Sequence, residues 1–198
     1  MRLSSLVIAA LTAASLALPT VVATPAAAQE PGALHAKDWF SLTFKDVRED
    51  LADAGAEGKR LVLLVEQYGC IYCAKLHDEV LSDPDVEAFV SENYMVVQLN
   101  LFGDEEVTDL DGETLSEREA LRRWGIAFTP TMIFLPEDVA EDDTTVAEAA
   151  VQVMPGAFGK WTTLDMFRWV RIKGYEGEEH FQKFHARQIA KLRAEGRL

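Results

Sequence analysis

The residues best suited to chemistry are the only two cysteines of the chain, Cys70 and Cys73, in the stretch LVLLVEQYGCIYCAKLHDEV (61–80). Two thiols at this spacing could form a stabilising disulfide, hold a metal ion or exchange disulfides with another molecule. A disulfide stabilises a fold by closing a loop of the unfolded chain, and the gain grows with loop length. Because this loop has only two intervening residues, stabilisation alone explains the pair poorly.

A metal site is also weakly supported. A structural zinc ion needs about four ligands, and the sequence has no second cysteine pair and no histidine pair at ligand spacing. His180 and His185 are five residues apart, which matches one helix face poorly. We therefore predict no metal and no cofactor besides a redox-active disulfide of Cys70 and Cys73, with a two-coordinate copper(I) site as an alternative.

The sequence around the cysteines predicts a division of labour between them. Cys70 follows a turn at Gly69 and begins the amphipathic stretch IYCAKLHDEVL, so it stands at a helix N-terminus. Unpaired backbone N–H groups and the helix dipole there stabilise a thiolate, which should lower the pKa of Cys70 below the free value of roughly 8.5. Cys73 lies one turn further in and should be buried and protonated. Cys70 would then attack a disulfide, and Cys73 would resolve the mixed disulfide.

Alternating strands and helices must position this pair. The predicted strands are RLVLLVEQ, YMVVQLNL, PTMIFLP and AEAAVQVMPG, with the last two antiparallel because a short acidic link joins them. The predicted helices are DWFSLTFKDVREDLADAGAEG, the stretch after Cys70, SDPDVEAFVSENY, EREALRRW, TTLDMFRWVRIKGY and EEHFQKFHARQIAKLRAE. Three of them have predicted caps: Asp83 for SDPDVEAFVSENY, a Ser116–Glu119 capping box for EREALRRW, and Thr162 or Thr163 for TTLDMFRWVRIKGY. This order predicts an α/β fold with a central mixed β-sheet flanked by helices. The acidic stretch around Asp109 and Asp111 is interpreted as a solvated turn.

The start of the chain predicts export. Arg2 is followed by an apolar run and by small residues ending at Ala28, the layout of a cleaved signal peptide. We therefore expect a signal peptide over 1–28, a flexible segment over 29–37, and one domain over 38–198 whose C-terminal helical extension covers about 162–198. The expected location is a bacterial periplasm.

The charge of the chain limits its partners. The net charge is −14 at pH 7, and it becomes one unit more negative when Arg2 is removed. Such a surface repels nucleic acid and anionic lipid, so we expect neither as a partner and no membrane insertion after signal removal. We expect a monomer that acts on a disulfide-bearing protein.

The two motifs together resemble those of the thioredoxin superfamily. A strand leads to C-x-x-C at a helix start, and WGIAFTPTMIF (124–134) follows downstream. The resemblance covers about 61–156 and implies a thioredoxin-like fold with an N-terminal helix and a C-terminal helical extension. It also implies that Pro130, preceded by Thr129, has a cis peptide bond and packs against the two sulfur atoms.

The stretch from Glu66 to Leu135 is similar to the periplasmic thioredoxins of sulfur-oxidising bacteria, the SoxW type. That similarity implies a reductase that receives electrons from a membrane thiol transporter and serves sulfur oxidation. Two positions depart from the pattern: Ile71 stands where Pro is common after the first Cys, and Leu64 stands where thioredoxin has a buried acid. The usual proton acceptor for the inner thiol is therefore missing.

Several side chains could support the site. Glu66, Lys75 and His77 are candidate proton acceptors for Cys73; for Glu66 a solvent-facing strand end is an equal alternative, and for His77 an exposed, charge-paired position is favoured. Tyr72, between the cysteines, is expected to face the partner. The bulky aromatic residues Trp124, Phe128, Trp161, Phe167 and Trp169 are expected in the core.

These observations favour a thiol–disulfide oxidoreductase that reduces a partner protein through a mixed disulfide. The alternatives are a dithiol oxidase or isomerase of exported proteins, and a non-enzymatic protein that binds copper(I) or a partner on the same scaffold. Replacement of Cys73 by Ser separates these classes, because an exchange enzyme would accumulate mixed disulfides through Cys70 and a copper carrier would lose metal.

Overall fold

The fold was analysed in a computed structural model, which describes residues 34–139 and 144–198. The predicted signal peptide and most of the predicted flexible segment lie outside these residues. The main sheet has four strands in the order β2-β1-β5-β6, where β1 is Arg60–Glu66, β2 is Tyr94–Asn100, β5 is Thr131–Phe134 and β6 is Gln152–Pro155. β1 and β2 are parallel, whereas β5 is antiparallel to both β1 and β6. The predicted mixed sheet and its antiparallel last pair are confirmed.

Seven α-helices accompany the strands in the described residues. They are α1 (Val47–Ala56), α2 (Ile71–Leu76), α3 (Pro84–Asn93), α4 (Glu117–Arg123), α5 (Val146–Ala149), α6 (Lys160–Arg171) and α7 (Phe181–Ala194). A π-helix, His77–Leu81, continues α2, and a 3-10 turn, Gly174–Glu176, precedes α7. One buried cluster packs α3, α6 and α7 on one face of the sheet, and a second packs α1 and α4 on the other. β1 is buried along its whole length, as expected for a strand covered on both faces.

Local capping explains where most helices begin. Asp83 caps α3 with Pro84 at its first position, and Ser116 and Glu119 form the predicted capping box of α4. The first helix is shorter than predicted: Asp46 accepts hydrogen bonds from two backbone N–H groups and starts α1 at Val47. Phe44, which lies within the predicted first helix, therefore precedes α1 and is exposed. The predicted cap of α6 is also wrong, because Gly159 occupies that position.

The acidic stretch before α4 is more ordered than predicted. It forms a hairpin of β3 (Glu106–Thr108) and β4 (Thr114–Ser116). Asp109 is buried and accepts hydrogen bonds from Trp124 Nε1 at 2.7 Å, from Arg123 at 2.8 Å and from the backbone N–H of Val146 at 2.8 Å. The interpretation as a solvated turn is therefore wrong for Asp109, whose carboxylate ties the hairpin to α4 and α5.

The C-terminal helices cover the sheet as predicted. Phe167 and Trp169 of α6 and Phe184 of α7 belong to the buried cluster on that face. The predicted fourth strand is divided, since its first half forms α5 and only its second half forms β6. In the part of the chain that the structure describes, no helix is both long and apolar enough to cross a membrane.

Candidate active site

The two motifs predicted from the sequence to form the active site lie at one end of the main sheet. β1 and β2 both end there, at Glu66 and Asn100, and β5 begins there at Thr131. The cysteine pair follows β1, and the Thr129–Pro130 bond precedes β5. Because Val65 pairs directly with Thr131, the register of the two strands brings both motifs to the same sheet end.

Cys70 and Cys73 are joined by a disulfide, with their Cα atoms 5.2 Å apart. Cys70 is the N-cap residue of α2, and its Sγ accepts a hydrogen bond from the backbone N–H of Cys73 at 3.0 Å. The predicted helix N-terminus at Cys70 is thus confirmed. Cys70 keeps 8% of its surface exposed and Cys73 none, so the outer sulfur is the accessible one, although its opening to solvent is narrow.

Thr129 lies beside the outer sulfur. Its hydroxyl donates a hydrogen bond to Cys70 Sγ over 3.3 Å. The peptide bond between Thr129 and Pro130 is cis, as the sequence resemblance implied, and Pro130 is buried. Cys70 Sγ therefore receives two hydrogen bonds, one from a backbone amide and one from a side chain, and both would stabilise negative charge on a Cys70 thiolate.

Three exposed apolar side chains, Ile71, Tyr72 and Phe128, are next to the two motifs in the sequence. Ile71 and Tyr72 stand between the cysteines and are exposed, which agrees with the expectation for Tyr72. Phe128, which was predicted to be in the core, is 72% exposed. It lies in the loop before β5, whereas Trp124, the residue directly after α4, is buried as predicted. Large exposed apolar groups of this kind are typical of protein interaction surfaces.

A buried polar cluster lies behind the cysteines. Glu66, at the end of β1, is 0% exposed, so the solvent-facing alternative for it is wrong. His77 is only 3% exposed, and the exposed position favoured for it is also wrong. His77 Nε2 lies 3.0 and 3.1 Å from the two carboxylate oxygens of Glu66. Gln98 of β2 donates a further hydrogen bond to Glu66 Oε2.

The segment before α1 covers this cluster. The ring of His35 stacks on that of His77 at 5.0 Å between centroids, and Phe40 packs edge-on against His77 at 5.6 Å. Gln98 also donates to the backbone carbonyl of His35 at 2.5 Å. No feature of the sequence indicated this cover, because aromatic residues before a helix do not show what they pack against. Lys75, the third candidate proton acceptor, is instead exposed and pairs with Glu79 at 3.7 Å.

An open pocket of about 520 Å³ lies between β6, α6 and α7, with Met154, Met166 and Phe181 in its walls, and neither cysteine lines it. In the described residues no group of three or more His, Cys, Asp or Glu side chains is arranged to hold a metal ion.

Comparison with known proteins agrees with this architecture. Residues 47–141 match the family described as a thioredoxin-like domain. Among solved structures, a thioredoxin-fold protein from Helicobacter pylori is 13% identical, with 69% of this chain and 84% of that chain covered and a TM-score of 0.53. No curated protein matches the chain.

Two further solved structures are similar at lower TM-scores. A thioredoxin from Thermus thermophilus is 26% identical over 65% of this chain and 86% of that chain, with a TM-score of 0.49. The oxidised C-terminal domain of DsbD from Neisseria meningitidis is 16% identical over 60% of this chain and 86% of that chain, with a TM-score of 0.42. The fold is thioredoxin-like, and with the adjacent cysteine pair it supports thiol–disulfide oxidoreductase activity in general.

Proposed function

We propose that this chain, which contains a thioredoxin-like domain, is a periplasmic thiol–disulfide oxidoreductase that reduces a disulfide of a partner protein. The observation that carries the proposal is the unequal environment of the two sulfurs. Cys70 stands at a helix N-terminus with two hydrogen-bond donors and some exposure, whereas Cys73 is fully buried. Such an arrangement supplies one attacking and one resolving thiol.

In the first step, the Cys70 thiolate attacks one sulfur of the partner's disulfide. The partner's S–S bond breaks, a bond forms between Cys70 and the attacked sulfur, and the other partner sulfur leaves as a thiolate. The backbone N–H of Cys73 and the hydroxyl of Thr129 are aligned on Cys70 Sγ, so they stabilise the attacking thiolate before the reaction. The exposed Ile71, Tyr72 and Phe128 would contact the partner.

In the second step, Cys73 attacks Cys70 Sγ and the partner leaves fully reduced. The short distance between the two residues in the oxidised state favours this closure over attack by an outside thiol. The products are the Cys70–Cys73 disulfide and a partner with two thiols. Two electrons pass from the enzyme to the partner, and the enzyme must then be reduced by another dithiol.

The finer assignments rest on the sequence resemblance. The similarity to SoxW-type periplasmic thioredoxins favours the reducing direction, a membrane thiol transporter as electron donor, and a role in sulfur oxidation. The N-terminal apolar run favours export to the periplasm.

A dithiol oxidase is the second candidate, and a specific observation favours it. The two hydrogen bonds to Cys70 Sγ stabilise the thiolate of the reduced pair, and stabilising the reduced form makes a disulfide more oxidising. The full burial of Cys73 acts in the opposite direction, because burial disfavours a thiolate at Cys73 and so does not stabilise the reduced pair. The reduction potential decides between the two directions.

The test is the redox equilibrium of the Cys70–Cys73 pair against glutathione. A potential near that of thioredoxin, about −270 mV, supports the reductase, and a potential near that of DsbA, about −120 mV, assigns the oxidase. Failure of the purified protein to form or exchange the Cys70–Cys73 disulfide in any glutathione buffer would overturn both.

A further inference from the structure

One ring nitrogen of the buried His77 lacks a hydrogen-bond partner in the described residues. This nitrogen is Nδ1, and it is itself buried. The other ring nitrogen, Nε2, faces the Glu66 carboxylate at 3.0 and 3.1 Å and therefore carries the proton that it donates. In the neutral ring Nδ1 is then a bare acceptor. Buried polar atoms are nearly always paired, so an unpaired acceptor needs an explanation.

The helix places His77 one turn after the resolving cysteine. His77 follows Cys73 by four residues, and its backbone N–H bonds to the Cys73 carbonyl, so the two residues share one helix face. Side chains on a helix tilt toward its N-terminus, which directs the His77 ring toward the turn that holds Cys73.

We propose that His77 is the proton acceptor for Cys73, and that Glu66 is a positioning residue that fixes the ring tautomer. Cys73, His77 and Glu66 would form a thiol–imidazole–carboxylate relay like those that activate nucleophiles in hydrolases. This inference rests on the proposed function, because it concerns the second step of disulfide exchange. In thioredoxin a buried acid accepts the proton of the inner thiol. Leu64 stands at that position here and cannot accept a proton, so His77 would take over this role.

The step balances within the chain and its mixed disulfide. The Cys73 S–H bond breaks and its proton moves to His77 Nδ1, while the Cys73 thiolate attacks Cys70 Sγ. The bond between Cys70 and the partner sulfur breaks, and the partner sulfur leaves with the electron pair. The proton on Nδ1 then passes to that leaving thiolate or to solvent, which restores the neutral ring.

The surroundings of His77 suit this role. The titratable groups that face its ring are the Glu66 carboxylate from β1 and the His35 ring from the covering segment, and β2 presents the neutral Gln98 amide to Glu66. On its own helix, Lys75, Asp78 and Glu79 are exposed. A negative Glu66 stabilises the imidazolium that forms when the Cys73 proton arrives, and the buried setting strengthens that interaction.

The experiment uses an aromatic disulfide, 5,5′-dithiobis(2-nitrobenzoate), to measure the reactions of the two thiols separately. The reduced protein releases one coloured thiolate when Cys70 attacks the reagent and a second when Cys73 resolves the adduct. His77→Gln keeps a side-chain donor for Glu66 but has no proton acceptor at neutral pH, so it tests the proton transfer and not the packing. We expect the second release to slow by about 100-fold, the lower range for general acid–base catalysis, with the first release unchanged within about twofold.

The pH profile gives a readout that a structural role would not change. In the unmodified protein His77 takes the Cys73 proton, so the rate of the second release should depend only weakly on hydroxide concentration. In His77→Gln the proton must pass to hydroxide or solvent, so the rate should rise steeply with pH, and Glu66→Gln should weaken the second release without affecting the first. His185→Gln is the matched control, because His185 of α7 makes a comparable pair with buried Asp165 of α6 at 2.7 Å.

The outcomes are distinct. An unchanged second release in a folded His77→Gln, with a normal first release, would overturn the proton relay and leave the proposed function intact. Absence of the first release in the unmodified protein would overturn the proposed function itself. If His77→Gln loses its native circular dichroism spectrum, the rate and pH profile of Glu66→Gln decide, and an unchanged second release there also overturns the relay.

Discussion

The hydroxyl of Thr129 donates a hydrogen bond to the sulfur of Cys70 across 3.3 Å, although the two residues are 59 positions apart in the sequence. The register of β1 with β5 creates this contact, because Val65 opposite Thr131 places the loop before β5 against the start of α2. A donor at this distance stabilises a thiolate more than a neutral thiol, so Thr129 contributes to the reactivity of Cys70.

Thr129→Val should therefore slow the reaction of reduced Cys70 with iodoacetamide at neutral pH. A net hydrogen bond of about 1 kcal/mol corresponds to a decrease of roughly fivefold. The rate is measured by following loss of the Cys70 thiol by mass spectrometry. Thr114→Val, on the distant β3–β4 hairpin, is the control and should leave the rate unchanged. Equal rates for the two variants would show that the Thr129 hydroxyl does not stabilise the thiolate.

Asp50 in α1 should make the free energy of unfolding depend on pH. Burial raises the pKa of this carboxyl group to about 6 from its ordinary value of 3.8, although Thr43 donates a hydrogen bond to it at 3.1 Å. The folded state then binds the Asp50 proton more tightly than the unfolded state. Its contribution to the free energy of unfolding is therefore present at low pH and is lost as the pH rises from about 4 to about 6.

Asp50→Asn removes this titration. We expect the free energy of unfolding at neutral pH to rise by about 1–2 kcal/mol, and its fall between about pH 4 and 6 to become shallower. Urea denaturation at several pH values measures both. Glu92→Gln, at an exposed position of α3, should change neither quantity. A pH dependence that is identical in Asp50→Asn and the unmodified protein would exclude Asp50 as its source.

The buried carboxylate of Asp109 should be a major contributor to stability. It accepts hydrogen bonds from Trp124, Arg123 and the backbone of Val146, so Asp109→Ala leaves several donors without a partner. We expect a loss of about 3 kcal/mol in the free energy of unfolding, measured by urea denaturation. Glu113→Ala, at an exposed position of the same stretch, should cost less than about 0.5 kcal/mol. Similar losses for both variants would contradict the assigned role.

The sequence predicted the elements that have strong local signals. The continuous apolar run of β1, the capping residues Asp83 and Ser116, and Cys70 at a helix start are all recognisable from neighbouring residues, and the structure has them where they were predicted. These features were sufficient to predict the sheet, whereas the nearness of Thr129 to Cys70 was implied by the resemblance to the thioredoxin superfamily.

The errors concern residues whose environment depends on distant parts of the chain. His77 was expected to be exposed because helical periodicity alone does not show that His35 and Phe40 cover that face. Asp109 was interpreted as solvated because its donors come from α4 and α5. Phe128 was assigned to the core from its apolar character, yet it is 72% exposed in the loop before β5. Burial of polar groups is a tertiary property, and so these assignments required the fold.

The central claim is that Cys70 attacks and Cys73 resolves. It is tested most directly by incubating reduced Cys73→Ser and reduced Cys70→Ser with a disulfide-bonded peptide and measuring the intact masses. Cys73→Ser should accumulate a stable adduct of one peptide chain at Cys70, and Cys70→Ser should remain unmodified over the same time because its remaining thiol is buried. Adducts that form equally in the two variants, or only at Cys73, would contradict the account.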